Sequence, residues 1–257
     1  MLRARRNGSN LSYLEVIMNQ LDQMRRQLTA SPLRVFSRLP LLGRIMIVAR
    51  EEIDALERIG VVERLERDGD TMFCVGKSHD SEIDLDALNS AVVDYTGQMK
   101  GKVLPKIEFQ DAAGKMLFSV VGLEGADKFT TALDIFEGTE VAVPEKPEGT
   151  EAKLDPNDVG MAPLKAAREA GAEITIEVRR PGLTQRWHGL VPEINPAMGF
   201  VNIITSDFHL HLRGGGVTAW QRGAPAADGM VELAAVGPKQ ESLGLYLRGP
   251  ATAFGPA

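Results

Sequence analysis

The second half of this chain echoes the first, and a short acidic segment separates the two. Ile83-Asp84-Leu85 answers to Leu210-His211-Leu212, and Tyr95-Thr96-Gly97 to Trp220-Gln221-Arg222-Gly223. Ile107-Glu108-Phe109 answers to Val231-Glu232-Leu233, and Gly122 to Gly249. The shift between partners drifts by a few residues, as loops of unequal length require. Two copies of one unit predict a pseudo-twofold pair of sheets with a seam between them, and place function where the halves meet.

Most echoed segments have strand character. Met72–Val75, Glu82–Asp86 and Ala91–Val93 are short apolar or alternating runs bounded by Gly, Asp and Ser. Ile107–Gln110 and Met116–Val121 flank Asp111-Ala112-Ala113-Gly114, which reads as a hairpin turn. In the second half, strands are expected at 174–178, 184–190, 200–204, 208–212, 217–220, 230–233 and 243–247. Helices are expected in four places. Ser12 and Glu15 form a capping box ahead of Leu14, Ile17, Met18, Leu21 and Met24, a stripe that runs to about Ala30 before Pro32. Ile53, Leu56 and Ile59 with Gly60 behind them read as a short helix. Asp127 opens one carrying Phe129, Leu133 and Phe136, and Pro163–Ala170 forms another, closed by Gly171. The segment 137–159 carries seven carboxylates and three prolines, the composition of an exposed linker. The expected organisation is an amphipathic N-terminal helix (1–32), a first β-sheet repeat with helices (33–137), an acidic linker (138–159), a second repeat (160–250) and a loose tail (251–257).

At 257 residues the chain can build two real cores. A net charge of −6 argues against a dedicated nucleic-acid binder. The single cysteine, Cys74, excludes an internal disulfide framework and suits a reducing compartment. No apolar signal core follows the basic start, and the apolar stretch 39–49, broken by Pro40 and Arg44, is too short to span a bilayer. The expectation is a soluble, cytoplasmic protein without membrane insertion. Gly-x-Ser-x-Gly, phosphate-loop and dinucleotide fingerprints are absent from the sequence.

The order of segments carries a resemblance. An apolar strand, then Ser206-Asp207-Phe208-His209-Leu210-His211-Leu212-Arg213, an aromatic strand with Trp220, Asp228-Gly229, and a hairpin ending Leu245-Tyr246-Leu247-Arg248 is similar to the cytoplasmic haemin-degrading and haem-trafficking proteins of the HemS/ChuX type. Gly43–Arg50, Gly60–Glu63, Ile83–Leu85 and Ile107–Gly114 follow the same family order in the first half. The likeness runs from about Leu39 to Gly249, the linker excepted. It implies an α+β fold of two similar antiparallel β-sheet repeats packed together and flanked by helices. It also implies haem as ligand and a place in bacterial haem-iron utilisation, with haem degradation left open. Departures from the pattern bear on function. The family's iron-ligating histidine lies between the repeats, yet no histidine occurs here between His79 and His188. The basic residue after Ile-Asp-Leu in the first repeat is Asp86 here, and the second repeat's Arg-Lys-Pro-Thr is reduced to Arg222-Gly223-Ala224-Pro225.

Haem needs an axial ligand, an apolar slot and cations for its carboxylates. Alternation along 207–213 puts His209, His211 and Arg213 on one strand face. His209 is the preferred axial or metal ligand; His211 reads either as a second ligand or as a hydrogen-bonded sheet histidine. His188, beside Trp187 and Arg186, is a further candidate, and Tyr246 and Arg248 fall near family positions that reach haem. The equivalent face of the first repeat, Glu82, Asp84 and Asp86, would repel propionates. Two readings remain: a haem-binding or haem-trafficking protein with no assigned catalytic residue, or a non-haem paralogue serving as a protein-interaction or regulatory scaffold. A homodimer or another protein partner is open in both.

Overall fold

Alternation is visible wherever one face of a strand is wet. In Phe208–Arg213 the residues Phe208, Leu210 and Leu212 are fully buried while His209, His211 and Arg213 are half-buried. Such segments assemble here into two large antiparallel sheets, in a computed structural model that describes residues 25–144 and 154–255. Strands are numbered along the chain. The first sheet has ten, in the order β12 (Gly138–Glu140), β1 (Arg25–Leu28), β7 (Ser90–Asp94), β10 (Lys106–Gln110), β11 (Met116–Gly122), β2 (Arg44–Arg50), β3 (Asp54–Val61), β17 (Phe208–Arg213), β16 (Phe200–Ile204) and β15 (Ile194–Ala197). The second has eight: β18 (Ala219–Arg222), β19 (Met230–Val236), β20 (Ser242–Pro250), β13 (Glu173–Arg180), β14 (Leu183–Leu190), β6 (His79–Asp84), β5 (Thr71–Gly76) and β4 (Arg64–Asp68). β8 (Gln98–Met99) and β9 (Lys102–Val103) form a small separate ribbon. The chain thus has the α+β class with two similar antiparallel sheet repeats packed together.

Each sheet is built from both halves. The meander β4–β6 of the first half joins the second half's strands through β14, with Ile83 opposite Leu183. The meander β15–β17 returns the exchange by pairing with β3, with Leu210 opposite Leu56. One shift along the chain relates both pairs. The inner faces then share a single core. Trp187 of β14 stacks on Phe208 of β17 at 4.7 Å, and the fully buried Gln185 donates to Ile47 O and Leu56 O in the other sheet, at 3.2 and 3.0 Å. Away from this seam, helix α1 (Pro32–Phe36) covers the first sheet, its Phe36 edge-on to Phe109 and Phe118. Helix α2 (Asp127–Leu133) buries Phe129 and Leu133, with Ala126 rather than Asp127 at its cap position. Helix α3 (Ala162–Glu169) buries Leu164 and Ala167.

Four expectations are corrected. Ile53–Gly60 is not a helix but β3, a central strand whose residues Asp54 to Ile59 are all buried. Covered on both faces, such a strand shows no period of two, and its charged members imitate a helix's polar side. Gly60 is no helix cap: a Cβ there would lie 2.8 Å from Ser78 Cβ, so the close approach of the β5–β6 turn requires glycine. The helix drawn to Ala30 has given way by Arg25 to β1, held between β7 and β12; its earlier part lies outside the described residues. That pairing also pulls 138–140 out of the linker and into the sheet. The tail from residue 251 is not loose as far as Phe254: Ala251–Phe254 forms a 3-10 turn with Ala253 and Phe254 buried, anchored by Arg222, which donates to Ala251 O and Gly255 O.

Candidate functional site

β3 and β17 are neighbours because the second-half meander docks on the first sheet, and their register sets His209 opposite Glu57 and His211 opposite Ala55. Glu57 therefore shares the outer face of the sheet with both histidines. His209 Nδ1 lies 2.9 Å from Glu57 Oε2, and His211 Nε2 lies 3.9 Å from the same oxygen. The rings are 5.8 Å apart and nearly perpendicular. Glu57 Oε1 accepts from Arg50 Nη2 at 3.2 Å. His211 Nδ1 meets Asn202 Oδ1 at 2.7 Å. The Asn202 amide nitrogen donates to Asn195 O, Ala197 O and Phe200 O, which fixes its oxygen toward the ring. In its neutral form His211 then carries its proton on Nδ1 and presents a lone pair at Nε2.

Glu57 is only 5% exposed. Burial pushes its pKa up, but hydrogen bonds and charge from His209 and His211 outweigh this and hold it at about 2, below an ordinary 4.5. A carboxyl depressed in the folded state contributes stability above its unfolded pKa and loses it as pH falls through the folded one. The metal-free protein should therefore lose about 3 kcal/mol between about pH 5 and about pH 2 that Glu57→Gln does not lose. Urea unfolding at the two pH values measures this; equal losses in both proteins would contradict it.

The remaining candidates gather on the outer face of the second sheet. His188, Arg248 and Thr175 lie in one cross-strand row, and Arg186, Glu177 and Tyr246 in the next. The cations there are already matched. Arg179 donates to Glu177 and Glu232, Arg186 to Glu177 and Glu82, and Arg248 to Asp228. The Arg179 guanidinium covers the Tyr246 ring at 3.8 Å. His188 is exposed, with Nδ1 3.2 Å from Thr175 Oγ1. The cleft among these residues holds about 130 Å³, below the usual range for a cofactor site. This face does not fit haem: its guanidiniums are neutralised in place and its tyrosine is capped. Glu82 belongs to that network, Asp84 caps the turn at Asp86, and the buried thiol of Cys74 is pushed up to about 12.

What the first-sheet face offers is a held imidazole. His209 presents Nε2 while Glu57 holds its Nδ1–H, the arrangement that orients a ligating histidine. Ile204, opposite His209, is an exposed apolar neighbour; Arg50 and Arg213 lie on the same face, each in an ion pair, with Glu57 and Glu52 at 3.2 and 3.4 Å. The structure thus brings together His209, His211 and Arg213, and places His188, Tyr246 and Arg248 on the outer face of the other sheet, across the shared core. Glu57 was missed because its segment read as a helix; a charge at the centre of an apolar run was the available signal.

No family model and no curated protein sequence matches this chain. Among solved structures, ChuS, an Escherichia coli haem oxygenase, superposes with a TM-score of 0.71 at 17% identity, over 93% of this chain and 87% of that one. Holo-PhuS, a haem-binding protein from Pseudomonas aeruginosa, superposes with a TM-score of 0.71 at 18% identity, over 91% of this chain and 84% of that one. No helix among the described residues is long and apolar enough to cross a membrane. The resemblance read from strand order is met at the level of architecture: this chain has the fold of ChuS and PhuS.

Proposed function

We propose that this protein binds and carries haem in bacterial haem-iron utilisation, in the cytoplasm, and that His209 Nε2 would hold the iron. The observation that carries the reading is the half-buried His209 imidazole held at Nδ1 by the buried Glu57 carboxylate on the outer face of the first sheet. The bound haem would supply the iron chemistry; the protein orients the imidazole through Glu57 and offers Ile204 to the macrocycle. The fold shared with ChuS and PhuS adds support. A titration with haemin should give a saturable Soret shift at one equivalent. His209→Ala should weaken it by about tenfold or more. Absence of any spectral change at micromolar haemin would sink the proposal.

One observation favours a second reading. The second sheet's outer face has its guanidiniums locked in ion pairs, as expected of a paralogue that has given up haem and serves as a protein-interaction or regulatory scaffold, through a second copy or another protein. Co-purification of a stoichiometric partner that haemin neither displaces nor recruits would support it.

A further inference from the structure

The atoms around Glu57 are arranged in two shells, and the inner shell points at one spot. One ligand atom each from Glu57, His209 and His211 lies within 4.8 Å of the other two. The donors of a four-coordinate ion with bonds of about 2.1 Å stand roughly 3.4 Å apart, and the separations of 2.9 and 3.9 Å straddle that value. Two of the three ligands also have a partner in an outer shell. Arg50 holds Glu57 Oε1 and so leaves Oε2 inward; Asn202 holds His211 Nδ1 and so leaves Nε2 inward. Asn202 is itself fixed by three backbone carbonyls. Partners that orient a ligand and settle its tautomer, as Arg50 and Asn202 do for Glu57 and His211, set a metal site apart from a chance cluster.

We propose that Glu57, His209 and His211 bind a divalent transition-metal ion of the Zn²⁺ or Fe²⁺ class, through one carboxylate oxygen and two imidazole nitrogens, with the remaining positions open. The donor set excludes a preference for Ca²⁺ or Mg²⁺, which take oxygen shells. His209 binds through Nδ1, its proton passing to Nε2 as the tautomer changes; Glu57 is thereby freed from the imidazole and becomes a ligand. Haem would instead use His209 Nε2 with the proton kept on Nδ1. The inference therefore stands on the same residues as the haem reading but not on that reading. The site joins the halves: its carboxylate comes from the first and its imidazoles from the second.

Co²⁺ is the probe, added to the haem-free full-length protein, with its ligand-field absorption and the accompanying rise in Tm as readouts. Wild type should bind one equivalent. Glu57→Gln, which keeps the shape, and His211→Ala, on the sheet surface, should each weaken binding by at least roughly a hundredfold and abolish the Tm rise. His211→Ala should still bind haemin. No ligand-field band in wild type at millimolar Co²⁺, or equal Co²⁺ affinity in wild type and both variants, would overturn the inference. Haemin binding without Co²⁺ binding defeats this inference alone, and Co²⁺ binding without haemin binding defeats only the haem reading.

Discussion

Phe208→Ala should destabilise the protein by about 3–5 kcal/mol, one of the two largest single-residue losses expected in the fold. Phe208 is fully buried at the start of β17 and stacks on Trp187 at 4.7 Å with the ring planes 16° apart. The Arg58 guanidinium lies over its ring, 6.0 Å from the centroid. The contact joins the two sheets, because Trp187 belongs to β14 and Phe208 to the strand docked on β3. Truncation leaves a cavity with one wall in each sheet, and neither wall can collapse without moving its whole sheet. Phe208→Leu, which keeps most of the volume, should cost less than half as much. Urea midpoints at unchanged m measure both, and a loss under about 1 kcal/mol for the alanine variant would show that the seam is not held by this stack.

Asp54→Ala should cost a similar amount for a different reason. Both Asp54 oxygens accept from Arg180 Nη2, at 2.6 and 2.7 Å, and the side chains are 1% and 8% exposed. Arg180 also donates to Leu243 O. Burial, with the nearby Glu51 charge, raises the Asp54 pKa against the pull of Arg180, so the pair's attraction does not fully offset its loss of solvent. Removing only the carboxylate strands a buried guanidinium, at about 3–5 kcal/mol. The double variant Asp54→Leu with Arg180→Met removes both charges and should recover most of that loss. A double variant as unstable as the single would show that the pair is worth its burial.

How far the sequence could be read differs element by element. The alternation in Phe208–Leu212 was enough to place His209, His211 and Arg213 on one face, since a half-wet strand declares its period. The Asp111–Gly114 turn was equally plain: the Asp111 carboxylate accepts from the backbone of Ala113 and Lys115, and Gly114 takes a positive φ of 78°. β3 was illegible because burial on both faces erases the period, and with it went Glu57, the third member of the histidine cluster. β1 was illegible because Arg25-Arg26-Gln27-Leu28 carries a single apolar residue, and its pairing on both sides with segments far along the chain leaves no local mark. The ion pair of Arg248 was hidden for the same reason. Its position suggested a contact with haem, but the carboxylate that neutralises it, Asp228, arrives from the turn before β19 through long-range register.

The exchange of meanders has a consequence during synthesis. β3 emerges from the ribosome long before β17, and its free edge waits on the order of ten seconds for the strand that covers it. β6 waits in the same way for β14. A nascent first half therefore presents two unpaired strand edges at once, each a template for sticking to another chain. Holdase chaperones should matter more to the yield of this protein than to that of a chain whose halves each close their own sheet.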